Sequence, residues 1–347
     1  MKKYQRRQFL TLTLTSLAGA LIPKRLTAIN PLIKPSRLKT GSGVGLISPA
    51  GATFIKDQVA IVEEAITALG LVPYRAPHLL DRYGYLAGRD QDRANDVNQF
   101  FANPKIALLL PITGGWGCAR ILPYLDYETI QKNPKILLGF SDLTALLLAI
   151  YAKTGLVTFH GPNGLSSWRN QQVTSFRQVL FEAEKLTIRN QPHADDADRL
   201  MQTKNRIKII TPGKARGRLI GGNLSVLSAI LGSPYVPDFQ DAILFVEDIG
   251  ESIYRIDRLL THLKLAGILE RLSGFIFGQC TNCLPVDDYG ALTLEEVMAD
   301  HIKPLGIPAW SGAQIGHLEN ILTLPMGLEV EINANTGTIT YLEAGVI

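Results

Sequence analysis

The chain has 347 residues, of which 46% are apolar and 19% charged, and a formal net charge of +4. That length predicts about two domains with ample material for a core, and that composition excludes a disordered polar chain. It also gives no support for nucleic-acid binding: Lys2, Lys3, Arg6, Arg7, Lys24 and Arg25 all precede Ala28, and without these six cations +4 becomes −2.

Residues 1–28 have the layout of an export signal, with a basic start, a weakly apolar middle from Thr11 to Ile22 and a polar end at Lys24-Arg25 before Ala28. The pair Arg6-Arg7 ahead of Phe9-Leu10 resembles a twin-arginine signal, with Gln5 where Ser or Thr is usual and Thr11 where Lys is usual. The apolar middle is too short for the ~20 residues that span a bilayer. The expectation is a chain exported to the periplasm or beyond, touching membrane only through this signal. It would stay cytoplasmic if the leader is not functional.

After a Pro-containing tether at 29–42, Val44–Ser48 reads as a strand, Asp57–Leu69 as a helix and Val72–Arg75 as a strand. A helix over Asp90–Phe101 leads to the apolar strand Ile106–Ile112, which ends in Thr113-Gly114-Gly115-Trp116-Gly117 and a short helix over Ala119–Leu125. Ile136–Leu138 and Leu143–Ile150 make another strand and helix around Gly139-Phe140-Ser141-Asp142, before a strand at Leu156–Phe159. Alternating strands and helices predict a parallel sheet with helices on both faces, and ligands gather beyond the carboxyl ends of such strands. Residues 43–168 are therefore read as an N-terminal α/β domain, and 169–212 as a linker region whose polar part, 185–212, holds some strand. Residues 213–347 are read as a C-terminal α+β domain richer in β structure. That domain holds a helix through Leu231, a strand Ala242–Val246 before Glu247-Asp248, and a helix near Arg255–Leu265. A strand at Gly274–Gly278 follows, then antiparallel β from Leu328.

Three cysteines are present. Cys280-x-x-Cys283 lacks the second pair a structural zinc site needs, so a local disulfide in an exported chain is the alternative, and neither it nor Cys118 is assigned a catalytic role. Gly139-Phe140-Ser141-Asp142 has two readings. A strand–turn–helix with a central Ser is the layout of a nucleophile elbow, whose following N–H groups can hold an oxyanion, although Leu143 stands where that elbow wants Gly. Ser is also a favoured helix cap, and Asp142 suits the positive end of a helix dipole. A nucleophilic serine needs a base and an orienting carboxylate. Of the six histidines His78, His160, His193, His262, His301 and His317, the last follows Gly316 in an expected loop; Glu247 closes an apolar run and, if buried, must be hydrogen-bonded. The glycine turn at 114–117 fits neither nucleotide-binding fingerprint but would let backbone approach a ligand closely.

Several blocks in order carry a resemblance. They are Gly84-Tyr85-Leu86-Ala87-Gly88 with Asp90 and Arg93; Gly114-Gly115-Trp116-Gly117 with Arg120-Ile121-Leu122; and Gly139-Phe140-Ser141-Asp142. Gly221-Gly222-Asn223-Leu224, Leu244-Phe245-Val246-Glu247-Asp248, Tyr254-Arg255-Ile256-Asp257-Arg258 and Gly316-His317 follow. From Val44 to the C-terminus the chain resembles the LD-carboxypeptidases, serine peptidases that include the microcin-immunity peptidases. The resemblance implies Ser141 as nucleophile, His317 as general base, Glu247 as its orienting acid, and the backbone N–H groups of Asp142 and of Gly114 and Gly115 as oxyanion hole. It implies no metal or cofactor, a homodimer, and hydrolysis that releases terminal D-alanine from a peptidoglycan tetrapeptide. Arg120 and Arg255 are cations that could bind the D-alanine carboxylate or form surface ion pairs. Two rivals stay open: a microcin-immunity-type peptidase acting on peptidyl-nucleotides, and an exported ligand-binding protein without catalysis.

Overall fold

The computed structural model describes residues 31–284 and 290–347, so the expected export signal lies outside the described residues. In chain order the first half contains β1 (Gly43–Ile47), α1 (Lys56–Ala68), β2 (Val72–Arg75), α2 (Asp90–Ala102) and β3 (Ile106–Pro111). It continues with α3 (Cys118–Ile121), α4 (Tyr127–Lys132), β4 (Ile136–Gly139), α5 (Thr144–Thr154) and β5 (Thr158–His160). The second half contains α6 (Asn170–Leu180), β6 (Thr187–Ile188), β7 (Lys208–Thr211), β8 (Lys214–Asn223), α7 (Leu224–Ile230), β9 (Ile243–Ile249) and α8 (Ile253–Leu265). It closes with β10 (Gly274–Thr281), α9 (Leu294–His301), β11 (Ala309–Ser311), β12 (Leu324–Met326), β13 (Glu329–Asn333) and β14 (Thr338–Tyr341).

Among the described residues these strands form two sheets. The first has the order β12-β5-β4-β3-β1-β2, with β1 to β5 parallel and β12 antiparallel at one edge. Parallel strands are covered on both faces, and β1 and β4 accordingly carry no polar side chain and are buried throughout. The second sheet has the order β6-β14-β13-β8-β9-β10-β11-β7. Its centre, β8 to β11, is parallel, and β13, β14, β6 and β7 flank it antiparallel. The mixed second half matches the expected α+β class. Its centre is parallel because α7, α8 and α9 each return the chain across the sheet.

Two stretches differ from expectation. The region 169–212, read as a linker with some strand in it, does contain strand, β6 paired with β14 and β7 with β11, but it also contains the unforeseen helix α6. Helix α6 buries Phe176, Val179 and Leu180 on one stripe, and apart from Val173 its other positions are polar, which hid its period. The tether also packs: Leu38 is buried, and Arg37 and Leu38 donate backbone N–H bonds to Ile347 and Leu180, each at 2.8 Å.

The two sheets meet at the elbow. Helix α5 is buried on nearly every side, touches β4, β5, α7 and β8, and ends at Gly155 in a left-handed conformation. Gly222 has φ 137°, and a Cβ there would lie 2.5 Å from Thr144 Oγ1. The next residue, Asn223, donates its N–H to Thr144 Oγ1 at 2.9 Å. This close approach fixes the end of β8 against the start of α5.

Candidate active site

Between β4 and α5 the chain reverses through Ser141, whose φ of 64° is in the left-handed region that non-glycine residues seldom occupy. Ser141 caps neither the 3₁₀ turn Ser141–Leu143 nor α5 with its side chain, so the helix-cap reading of this serine is not realised. Asp142 also does more than face a helix dipole. It is buried, and its Oδ2 accepts the Cys118 N–H at 2.8 Å, which ties the glycine turn to the elbow. Burial pushes its carboxyl pKa up, and the hydrogen bonds from Cys118 oppose that shift.

The glycine turn lies against Ser141. A Cβ on Gly114 would sit 3.0 Å from Ser141 Cβ, 3.1 Å from its Oγ and 3.6 Å from the Asp142 nitrogen. Gly115 has φ 114°, and its ideal Cβ would stand 3.2 Å from Gly51 Cα. Gly51 N–H in turn donates to the Gly114 carbonyl at 3.1 Å. Beneath this turn Arg93 is fully buried and donates to the carbonyls of Gly117, at 3.0 Å, and Pro49. Its partner carboxylate Asp90 is 2.5 Å away and also binds Arg120.

The second sheet brings a carboxylate and an imidazole together. Glu247 lies inside β9, not after it, and is wholly buried. Its Oε2 is 2.7 Å from His317 Nδ1. Glycines clear the space: a Cβ on Gly316, where φ is 121°, would lie 2.8 Å from that Oε2, and one on Gly278 would lie 3.1 Å from Glu247 Cβ. The His317 carbonyl accepts the Thr281 hydroxyl at 2.9 Å, and a Cys280–Cys283 disulfide brackets that threonine. The His317 ring meets the Phe140 ring edge-on at 4.9 Å between centroids. Phe140 is the residue before Ser141, so the imidazole stands beside the elbow.

Neighbouring Asp248 serves structure. It accepts from Asn223 Nδ2 at 3.0 Å and from the Ser225 N–H and hydroxyl at 2.9 and 2.8 Å, anchoring the start of α7. Burial raises its carboxyl pKa, and the Ser225 bond works against that. His160 is fully buried between the rings of Phe140 and Phe245. Burial, and then the charge of His317, push its pKa down to about 3, so it stays neutral. His78 bonds Asp81 at 2.8 Å and His301 bonds Asp257 at 2.5 Å. His193 lies 3.5 Å from Asp195. Among the described residues, one group of possible metal ligands gathers within 4.8 Å: His78, Asp81 and Asp92. The Cys280–Cys283 pair is spent on its disulfide.

Sequence reasoning missed the supporting roles of Arg93, Asp142 and Asp248. Buried charge was the available signal, since a buried Asp or Arg must be paired. A cavity of about 590 Å³ opens beside the elbow, between the glycine turn and helices α7 and α8. Asp142, Gly117, Val226 and Arg255 are among its walls, and the exposed rings of Tyr85 and Trp116, 6.3 Å apart and edge-on, also line it. Arg120 and Arg255 also line it, and both are in ion pairs, with Asp90 at 2.9 Å and Glu251 at 2.6 Å.

Known proteins resemble this chain in sequence and in fold. Residues 44–161 match the model of the LD-carboxypeptidase N-terminal domain and residues 216–332 that of the LD-carboxypeptidase C-terminal domain. A probable murein peptide carboxypeptidase of Bacillus subtilis is 37% identical over 321 residues, spanning 90% of this chain and 95% of its own. The murein tetrapeptide carboxypeptidase of Pseudomonas aeruginosa is 29% identical over 303 residues, with 84% of this chain and 93% of its own covered. Among solved structures, the microcin C7 self-immunity protein MccF in its wild-type apo state superposes with a TM-score of 0.81 at 28% identity, over 91% of this chain and all of that one. With two matched domains in order and relatives aligned along nearly their whole length, the chain belongs to the LD-carboxypeptidase family.

Proposed function

We propose that the protein is a serine LD-carboxypeptidase that releases terminal D-alanine from peptidoglycan tetrapeptides, with Ser141 as nucleophile, His317 as general base and Glu247 as its orienting acid. The observation that carries this reading is the 2.7 Å bond from buried Glu247 to His317 Nδ1, on an imidazole packed against the residue preceding Ser141. A proton on Nδ1 donates to the carboxylate and leaves the Nε2 lone pair to take the proton of Ser141. The serine oxygen then attacks the carbonyl ahead of D-alanine. Backbone N–H groups of Asp142, Gly114 and Gly115 stabilise the oxyanion, and His317 returns the proton to the leaving amine. Water, deprotonated by the same imidazole, hydrolyses the acyl-serine and frees the tripeptide.

Export is part of the proposal. The leader has the layout of an export signal, and the Cys280–Cys283 disulfide supports an oxidising compartment. Pairing of two copies follows from the family resemblance. The test incubates chain lacking residues 1–28 with a muropeptide tetrapeptide beside a Ser141→Ala variant, and measures free D-alanine. Release by the parent alone is expected; equal release by both would remove Ser141 from the chemistry. A second substrate arm, an aminoacyl sulfamoyl nucleoside, is warranted by the fold match to MccF. Cleavage there with no D-alanine release would replace the murein reading with the peptidyl-nucleotide one.

A further inference from the structure

Helix α8 presents Arg255, Arg258, Leu259 and His262 to the cavity beside the elbow. Their spacing of three, four and seven residues puts them on one helical face. Two of the arginines in the cavity wall are already neutralised, Arg120 by Asp90 and Arg255 by Glu251. Arg258 is exposed and, among the described residues, has no carboxylate partner; its guanidinium lies 5.3 Å from the Tyr254 ring. A guanidinium free of carboxylate on the wall of a pocket is a receptor for an anionic group, with a planar fork that matches a carboxylate.

Size and reach decide which carboxylate. At about 590 Å³ the cavity is on the scale of pockets that hold a drug-sized ligand, roughly 300–1,000 Å³, and far exceeds one alanine. Its α8 wall from Arg255 to His262 runs about 10 Å at 1.5 Å per residue. The terminal carboxylate of the leaving alanine lies only a few bonds from the attacked carbonyl. A long side chain on the acyl residue can run along α8; the leaving alanine cannot. Leu86, Val226 and Leu259 give its methylene stem apolar walls.

We infer that Arg258 binds a carboxylate at the far end of the side chain of the substrate's third residue, making it a specificity-determining residue. This rests on the carboxypeptidase reading above. The probes are tetrapeptides L-Ala-γ-D-Glu-X-D-Ala with X as diaminopimelate, its side-chain carboxamide, or L-lysine. The parent is expected to favour the carboxylate over the carboxamide by about tenfold or more in kcat/KM, the scale of one charge-assisted hydrogen bond. In Arg258→Gln that preference should vanish, through a higher KM on the carboxylate substrate alone, and Arg258→Lys should restore part of it. Equal loss on all three probes, or no change on any, would overturn the inference while leaving the carboxypeptidase reading intact. No D-alanine release by the parent from any probe would overturn that reading, and this inference with it.

Discussion

The two sheets furnish the site by different means. The first works through backbone: a serine at φ 64°, a glycine turn packed onto it, and a buried arginine and aspartate that pin the turn. The second works through side chains: a wholly buried glutamate bonded to an imidazole, in space that two glycines keep clear. The difference teaches where each half tolerates change. Backbone strain is held by packing over many residues, so the elbow should survive loss of any one side-chain contact. The Glu247–His317 pair hangs on a single bond and should fail at once when either partner changes.

The largest expected effect breaks the side-chain half. Glu247→Gln keeps shape but gives His317 Nδ1 a neutral partner, and kcat for D-alanine release should fall by roughly 10²–10⁴-fold with circular dichroism unchanged. Retention of more than a tenth of parent kcat would show that the carboxylate does not orient the base. The next tests the backbone half. Gly114→Ala places a methyl 3.0 Å from Ser141 Cβ, and a shift of a few tenths of an ångström in the turn should cost kcat about 10–100-fold with KM little changed.

A smaller effect separates anchoring from chemistry. Asp142→Ala leaves the buried Cys118 N–H without its acceptor, and urea unfolding should show a loss of about 1–3 kcal/mol. An unchanged midpoint would mean that Arg93 and the Gly51–Gly114 backbone bond hold the turn without Asp142. The last, of similar size, lies away from the serine. Asp96 on α2 is buried, and burial raises its pKa from 3.8 to about 6, against the opposing bond from the His78 N–H. The folded state therefore holds its proton more tightly than the unfolded one, and this stability is lost as pH rises through about 6. Asp96→Asn should gain stability relative to the parent, by about 1–3 kcal/mol, between pH 4 and 7 in thermal melts. A constant difference across that range would contradict the shift.

The same contrast explains what the sequence revealed. The parallel first sheet was legible because its signals are local: apolar strands such as Ile106–Pro111, each followed by a turn and a helix. The Ser141 turn was legible as a strand–turn–helix but not as a strained one, because φ leaves no mark in residue types. Glu247 and His317 are 70 residues apart, and only the pairing of β9 with β10 and the loop after β11 unites them. Their partnership came from resemblance to a family, not from pattern. Helix α6 was hidden by polar residues, and Asp142 looked like a helix-start acid because its partner, the Cys118 N–H, is 24 residues away.

The most direct measurement is covalent labelling with a fluorophosphonate, which reports an activated serine without any assumption about substrate. Parent, Glu247→Gln and His317→Ala chains would be labelled in parallel and mapped by peptide mass spectrometry. The predicted result is one adduct, on Ser141, forming much more slowly in both variants. An adduct elsewhere, or equal rates on Ser141 in all three chains, would contradict a nucleophile from the first sheet driven by a base from the second.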